Sequence, residues 1–83
     1  MNPVNTTKRI ILRALLAAGG APMSEEVLLD ASRSHQPALL LSDFHQAARE
    51  LETDKFIIGS KDDLDDSAFW ALTTKGVLRA KQL

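Results

Sequence analysis

The sequence predicts a small, mainly helical α+β fold: a three-helix core, a two-stranded β-hairpin and a short C-terminal helix. Two observations favour this class. Three stretches before residue 55 place apolar residues at helical spacing, and two short apolar runs rich in aromatic and β-branched residues follow, separated by a polar loop. The 83 residues suit one domain, which we expect to span residues 1–83.

The first predicted helix runs from Thr6 or Thr7 to Ala18, where a glycine pair ends it. Its main apolar face consists of Ile11, Ala14, Leu15 and Ala18. Leu12 and Leu16 widen this apolar arc beyond what one core face needs. Two interpretations are open: the helix is buried on most sides, or it also contributes to a homodimer interface.

The second predicted helix has Ser24 as its N-cap and runs to about Arg33. The third begins either at Pro37, a favoured first helical residue, or at Ser42 as N-cap, and ends near Asp54. The side chains expected in the core are Val27, Leu28 and Ala31 from the second helix and Leu40, Phe44, Ala47, Ala48 and Leu51 from the third.

The periodicity changes after the third helix. Phe56–Ile58 and Ala68–Leu72 read as strands joined by the loop Gly59–Ser67, which predicts a hairpin. An isolated hairpin is unstable in water, so Trp70 and Leu72, which lie on one strand face, should anchor it on the helices. We expect both to share a core with Phe44, Leu51 and Ile11.

A short helix is predicted after the hairpin. Thr73 is its N-cap, and it runs from Thr74 to the end of the chain. Val77 should be buried, with Leu78 as a second candidate. Three helices followed by a two-stranded hairpin form the winged-helix arrangement, and this is the architecture that we expect.

Three stretches of the chain resemble the winged helix-turn-helix transcription regulators of bacteria and archaea. Gly20–Leu28 is similar to the family's turn into its second helix, and Ala48–Ile57 to the end of its recognition helix. Trp70–Gly76 is similar to the family's Tyr-x-Leu-Thr-x-Lys-Gly pattern, which ends the wing. The resemblance spans essentially the whole chain and implies a DNA-binding fold, although the same fold also serves in protein interaction.

The chain departs from the family in two places. Lys55 stands where the family usually has a glycine in left-handed conformation, so Lys55 must accept that conformation or the helix must end differently. The hairpin loop is unusually acidic, with Lys61 against Asp62, Asp63, Asp65 and Asp66. In DNA-binding relatives this loop often carries arginine or lysine instead.

The third helix offers a polar face opposite its apolar stripe. At ~100° per residue, Ser42, Gln46, Arg49 and Thr53 lie on that face, with His45 at its edge. Arginine can pair bidentately with guanine and glutamine with adenine, so we expect these five residues to contact double-stranded DNA. Lys8 and Arg9 in the first helix are the expected phosphate contacts.

The charge balance limits this expectation. The net charge is −1, whereas nucleic-acid-binding domains are usually basic. The first helix carries Lys8, Arg9 and Arg13 and the last carries Lys75, Arg79 and Lys81. Because phosphate contacts supply much of the affinity, we expect weak or dimer-dependent DNA binding. The alternative is a protein-interaction module whose acidic wing binds a basic protein partner.

The sequence contains no pattern typical of an enzyme, a metal site or a cofactor site. There is no cysteine, and His35 and His45 have no partner at metal-ligand spacing. The acidic loop lacks the residue pattern of a calcium-binding loop. We therefore expect no catalytic residue, no metal ligand and no cofactor. No apolar run approaches the ~20 residues of a membrane span, and we expect a cytoplasmic protein.

Overall fold

A computed structural model describes residues 3–64 and 67–83 of the chain. Its elements are α1 (Pro3–Ala17), β1 (Met23–Ser24), α2 (Glu25–His35), α3 (Leu41–Thr53), β2 (Ile57–Lys61), β3 (Ala68–Leu72) and α4 (Thr74–Lys81). The predicted α+β class and the order of helices and hairpin are confirmed. None of the helices in these residues has the length and hydropathy needed to cross a bilayer.

Helix α1 is longer than the sequence indicated. It begins at Pro3 rather than at Thr6 or Thr7, because proline's fixed φ and missing N–H suit a first helical position. It ends at Ala17, and the two glycines that follow both have positive φ, 76° at Gly19 and 86° at Gly20. The glycine pair therefore ends the helix as predicted.

The start of α3 corrects the sequence analysis. Ser24 caps α2 as predicted, with its hydroxyl accepting from the backbone N–H of Val27 at 3.3 Å. Helix α3, however, begins at Leu41 with Leu40 as its N-cap, so Pro37 is not its first residue and Ser42 is not its N-cap. The N–H of Leu39 donates to the carbonyl of Gln36, and the Leu39 side chain is buried. This turn delays the helix to Leu41.

The sheet has three strands rather than the predicted two. Strand β1 pairs antiparallel with β3, with Met23 opposite Trp70, and the strand order is β1-β3-β2. Ala21-Pro22 keeps the chain extended, so the next two residues can pair with a strand edge. Strand β2 also continues to Lys61, which makes the hairpin loop shorter than Gly59–Ser67.

The core lies between α1, α3 and the sheet. Its buried apolar side chains are Ile11, Leu12, Leu15, Leu28, Leu39, Phe44, Ala47, Ala48, Leu51, Ile57 and Ala80. Trp70 and Leu72 are half-buried and pack against this cluster, as predicted. Leu12 is buried within the chain itself, and Leu16 is partly buried against the core. A homodimer through α1 stays a prediction, and Leu12 is no longer an exposed residue that it would have to cover.

Three expected core residues are exposed instead. Val27 is 54% exposed, because the neighbouring Leu28 takes the inward position on α2. Leu40 is 62% exposed, because it precedes α3 and helical spacing does not apply to it. Leu78 is 61% exposed, because α4 packs through Gly76 and Ala80, one turn apart.

Helix α4 is fixed to the end of α3 by a compact junction. Lys55 has a φ of 64°, so of the two alternatives given above it adopts the left-handed conformation. The Thr73 hydroxyl lies 2.6 Å from the Lys55 carbonyl and accepts from the Gly76 N–H at 3.0 Å. The ammonium group of Lys75 donates to the Asp54 carbonyl at 2.8 Å. We call these contacts the α3–α4 junction; they hold the hairpin and α4 relative to α3.

Candidate nucleic-acid interface

The polar face of α3 is open to solvent. The opposite face is buried through Phe44, Ala47, Ala48 and Leu51, which leaves Ser42, Gln46, Arg49 and Thr53 exposed. Within residues 3–64 and 67–83, the side chains of Ser42, Arg49 and Thr53 make no hydrogen bond or ion pair. The Arg49 guanidinium is therefore available to bind a partner from this face.

Glu50 connects this face to α1. Its carboxylate lies 2.7 Å from the Lys8 ammonium group and accepts from the Gln46 side chain at 3.1 Å. The hydrogen bond from Lys8, followed by that from Gln46, holds the pKa of Glu50 below its ordinary value, and the charge of Lys8 adds to this. Two expected DNA contacts, Lys8 and Gln46, are thus already engaged by one carboxylate.

Basic side chains gather on the α1 side of α3. Lys8 and Arg9 from α1 and Arg79 from α4 line one cleft of about 300 Å³, together with Asp54. Lys75 lies at the same end of α3, with its ammonium group 4.6 Å from the centre of the Phe56 ring. We call Lys8, Arg9, Lys75 and Arg79 the basic flank. It combines both predicted phosphate contacts, Lys8 and Arg9, with Lys75 and Arg79, which the sequence analysis noted only as charges of the last helix.

Acidic side chains gather on the other side of α3. His45 Nε2 lies 3.3 Å from Glu25 Oε1, and the Trp70 indole N–H donates to the same oxygen at 3.4 Å. Glu52 accepts from the backbone N–H of Gly59 at 3.0 Å. We call Glu25, Glu52, Asp62 and Asp63 the acidic flank. His45 is therefore turned toward α2 and the sheet.

The acidic loop is described only in part. Asp62 and Asp63 are exposed, and the Asp62 carboxylate accepts from the backbone N–H of Leu64 at 2.8 Å. Asp65 and Asp66 lie outside the described residues. In the described part of the chain, no three histidine, cysteine, aspartate or glutamate side chains stand close enough together to hold a metal ion.

The geometry of α3 separates the two flanks. At ~100° per residue, Glu50 and Asp54 project toward α1 and α4, whereas His45 and Glu52 project toward α2 and the sheet. The exposed polar face lies between these directions and has no carboxylate at its centre. Sequence reasoning found this face but missed the pairing of Glu50 with Lys8 and that of Glu25 with His45, because each pair joins two separate helices.

Comparisons with known proteins identify the fold. No protein-family model and no characterised protein sequence matches the chain. Among solved structures, a mutant of ZitR from Lactococcus lactis in apo form aligns with a TM-score of 0.70 and 20% identity over 95% of this chain. A second structure of the ZitR mutant aligns with a TM-score of 0.68 and 20% identity over 93% of this chain. ZitR is a winged-helix regulator, so the winged-helix fold is confirmed.

The likeness covers only part of those proteins. The chain spans about half of their length, 55% of the first structure and 48% of the second. The structures share a fold with this chain. At 20% identity, the role of a residue in ZitR is not transferred to any residue here.

Proposed function

We propose that the chain is a DNA-binding regulator that places α3 in the major groove of duplex DNA. The observation that carries this proposal is the exposed polar face of α3 with the basic flank beside it. The flank gathers four of the ten lysine and arginine side chains along one border of that face. The winged-helix fold shared with ZitR supports a regulator of this kind.

Arg49 is the proposed base reader. Its exposed guanidinium has no partner within residues 3–64 and 67–83, and a guanidinium can donate two parallel hydrogen bonds to the O6 and N7 atoms of guanine. Gln46 lies one turn earlier, with Ser42 and Thr53 at the two ends of the face. His45 is a peripheral contact, because Glu25 holds its ring.

Replacing Arg49 with alanine should weaken binding to a preferred duplex by about 1–3 kcal/mol and relax sequence preference at one base pair. The measurement is a low-salt fluorescence titration with a duplex selected from a random library. Arg13→Ala is the matched control, since Arg13 lies beside His35 in another surface depression. Equal losses in both variants would mean that Arg49 contributes only its charge. Non-specific DNA affinities usually include values of ~10⁻⁵ M. If the folded wild-type protein binds no DNA at such a protein concentration, the DNA proposal is wrong.

Glu50 should restrain the phosphate contact of Lys8. A Glu50→Gln change removes the carboxylate that holds Lys8, while its amide oxygen can still accept from Gln46. We expect tighter binding to all duplexes and a salt slope steeper by about one unit. Lys8→Ala should do the opposite, because it removes a cation and leaves Glu50 unpaired.

The two variants are compared by titrating the same duplex over a range of salt concentrations. Changes of opposite sign support a phosphate contact at Lys8. The hypothesis that Glu50 restrains Lys8 fails if Glu50→Gln weakens DNA binding while circular dichroism shows an intact fold. In that case Glu50 would itself contribute to DNA binding.

The acidic flank supports a second candidate function, a protein-interaction module that binds a basic partner. Glu25 and Glu52 border the sheet, and Asp62 and Asp63 stand exposed beyond it. In this case Arg49→Ala would leave the interaction unchanged, whereas Asp62→Asn with Asp63→Asn would weaken it. For a DNA-binding protein the asparagine variant should instead bind DNA more tightly, because it removes repulsion near the phosphate backbone.

A further inference from the structure

The cleft beside the basic flank has a shape that a phosphate group alone does not explain. It lies where α1, the end of α3 and α4 meet, and its volume is about 300 Å³. This volume is at the lower end of the ~300–1,000 Å³ of typical ligand pockets. Its polar border consists of Asn5, Lys8 and Arg9 from α1, Asp54 after α3 and Arg79 from α4. We call it the three-helix cleft.

The floor of the three-helix cleft is apolar. Phe56 and Leu83, both partly buried against the core, line it together with the edges of the core side chains Leu12 and Leu51. Along α1 the cleft extends from Asn5 to Leu12, which is ~10 Å of helix at ~1.5 Å per residue. The cleft is therefore long enough to hold a short apolar chain as well as a charged group.

The charges on its border favour an anion. Within residues 3–64 and 67–83, the Arg9 guanidinium forms no ion pair or hydrogen bond, and that of Arg79 donates only to the neutral Gln82 side chain at 3.3 Å. Asp54 is the opposing charge, but in the same residues its carboxylate forms no ion pair with either arginine. Lys8 is already paired with Glu50 at 2.7 Å. The two arginines therefore carry charge that no described side chain neutralises by direct contact.

We propose that the three-helix cleft binds a small amphipathic anion, a carboxylate on a short unbranched alkyl chain. The carboxylate binds the guanidinium groups of Arg9 and Arg79, because such pairs form strong charge-assisted hydrogen bonds. Both arginine side chains are exposed and can close onto a ligand. The alkyl chain lies over Phe56 and Leu83, where burial of its methylene groups adds to the affinity. Asp54 lowers the affinity.

The ligand would also act on the proposed interface. Arg9 is one of the two expected phosphate contacts, so a bound carboxylate competes with the DNA backbone for it. This competition rests on the proposed DNA-binding function, whereas the ligand site itself does not.

The test is a titration of the full, isotope-labelled chain with sodium hexanoate, followed by the NMR signals of the backbone amides. For so small a ligand we expect a dissociation constant on the order of 1 mM. The saturable shifts should concentrate between Asn5 and Leu12 and between Arg79 and Leu83. Sodium acetate, which lacks the chain, and 1-hexanol, which lacks the charge, should each bind at least about tenfold more weakly. Sodium chloride at equal concentration controls for ionic strength.

Substitutions in the cleft should change the hexanoate affinity in opposite directions. Arg9→Gln and Arg79→Gln should each weaken binding about tenfold, because each removes a charged hydrogen-bond donor. Asp54→Asn should tighten binding several-fold, because it removes the opposing charge. Arg13→Gln is the matched control, since it removes the same charge from α1 at a different depression, beside Ile10 and His35.

Thermal melting first establishes that each variant is folded. The proposal is overturned if hexanoate causes no saturable shift, if acetate or hexanol binds as tightly, or if Arg9→Gln and Arg79→Gln lose no more affinity than Arg13→Gln. These titrations contain no DNA, so failure of the DNA proposal would not change their outcome. In a separate titration of the DNA complex, hexanoate should release the duplex more effectively than acetate at equal ionic strength. Hexanoate that binds the cleft without releasing the duplex would contradict the competition for Arg9.

Discussion

Replacing Leu51 with alanine is expected to lower the free energy of unfolding by about 2–5 kcal/mol. Leu51 is only 2% exposed and belongs to the core cluster that joins α3 to α1 and the sheet. Truncation removes three buried carbon atoms and leaves a cavity that close-packed neighbours fill only in part. This loss is a large share of the ~5–15 kcal/mol by which folded domains are stable.

Urea denaturation followed by circular dichroism measures the effect. Leu78→Ala is the control, because the same truncation at a side chain that is 61% exposed should cost much less. A loss below about 1 kcal/mol for Leu51→Ala, outside the range for buried leucines, would contradict the packing of α3 described above.

Replacing Gly76 with alanine is expected to destabilise the chain by about 3 kcal/mol or more. In an ordinary helix this change is favourable by ~1 kcal/mol, since alanine is the better helix former. At Gly76, however, a Cβ atom would overlap the backbone carbonyl oxygen of Phe56 and crowd Leu72. The carbonyl cannot rotate away, because it accepts from the Thr73 N–H in the α3–α4 junction.

Gly19→Ala separates steric overlap from backbone strain. Gly19 has a φ of 76°, but in the described residues no atom beyond its two chain neighbours lies within 4 Å of an added Cβ. Its substitution should cost only the ~1–2 kcal/mol of a left-handed alanine. Thermal melting of both variants tests whether Gly76→Ala is the more destabilising of the two. A Gly76→Ala variant that melts at or above the wild-type temperature would show that α4 does not pack as closely as described.

The parts of the fold that follow from local pattern were predictable from the sequence. The buried positions of α3 at Phe44, Ala47, Ala48 and Leu51 follow from helical periodicity, and the caps at Ser24 and Thr73 follow from side-chain chemistry. The left-handed conformation of Lys55 was one of the two alternatives that the resemblance left open. That residues 1–83 form one domain stays a prediction.

The parts that depend on distant contacts were not predictable. Strand β1 has two residues, too few for any periodicity, and it exists only because Met23 meets Trp70 more than half the chain away. The exposure of Leu40 depends on the turn that buries Leu39. At the candidate interface, the pairing of Lys8 with Glu50 joins two helices whose relative position no sequence pattern gives.

The separation of basic and acidic flanks gives α3 a built-in direction. The two sugar-phosphate backbones that border a major groove are equally negative, so one would be attracted by Lys8 and Arg9 while the other would face Glu25 and Glu52. Turning the duplex end for end would exchange these backbones without making the acidic side attractive. A single copy of the chain could therefore anchor firmly to only one backbone of a groove.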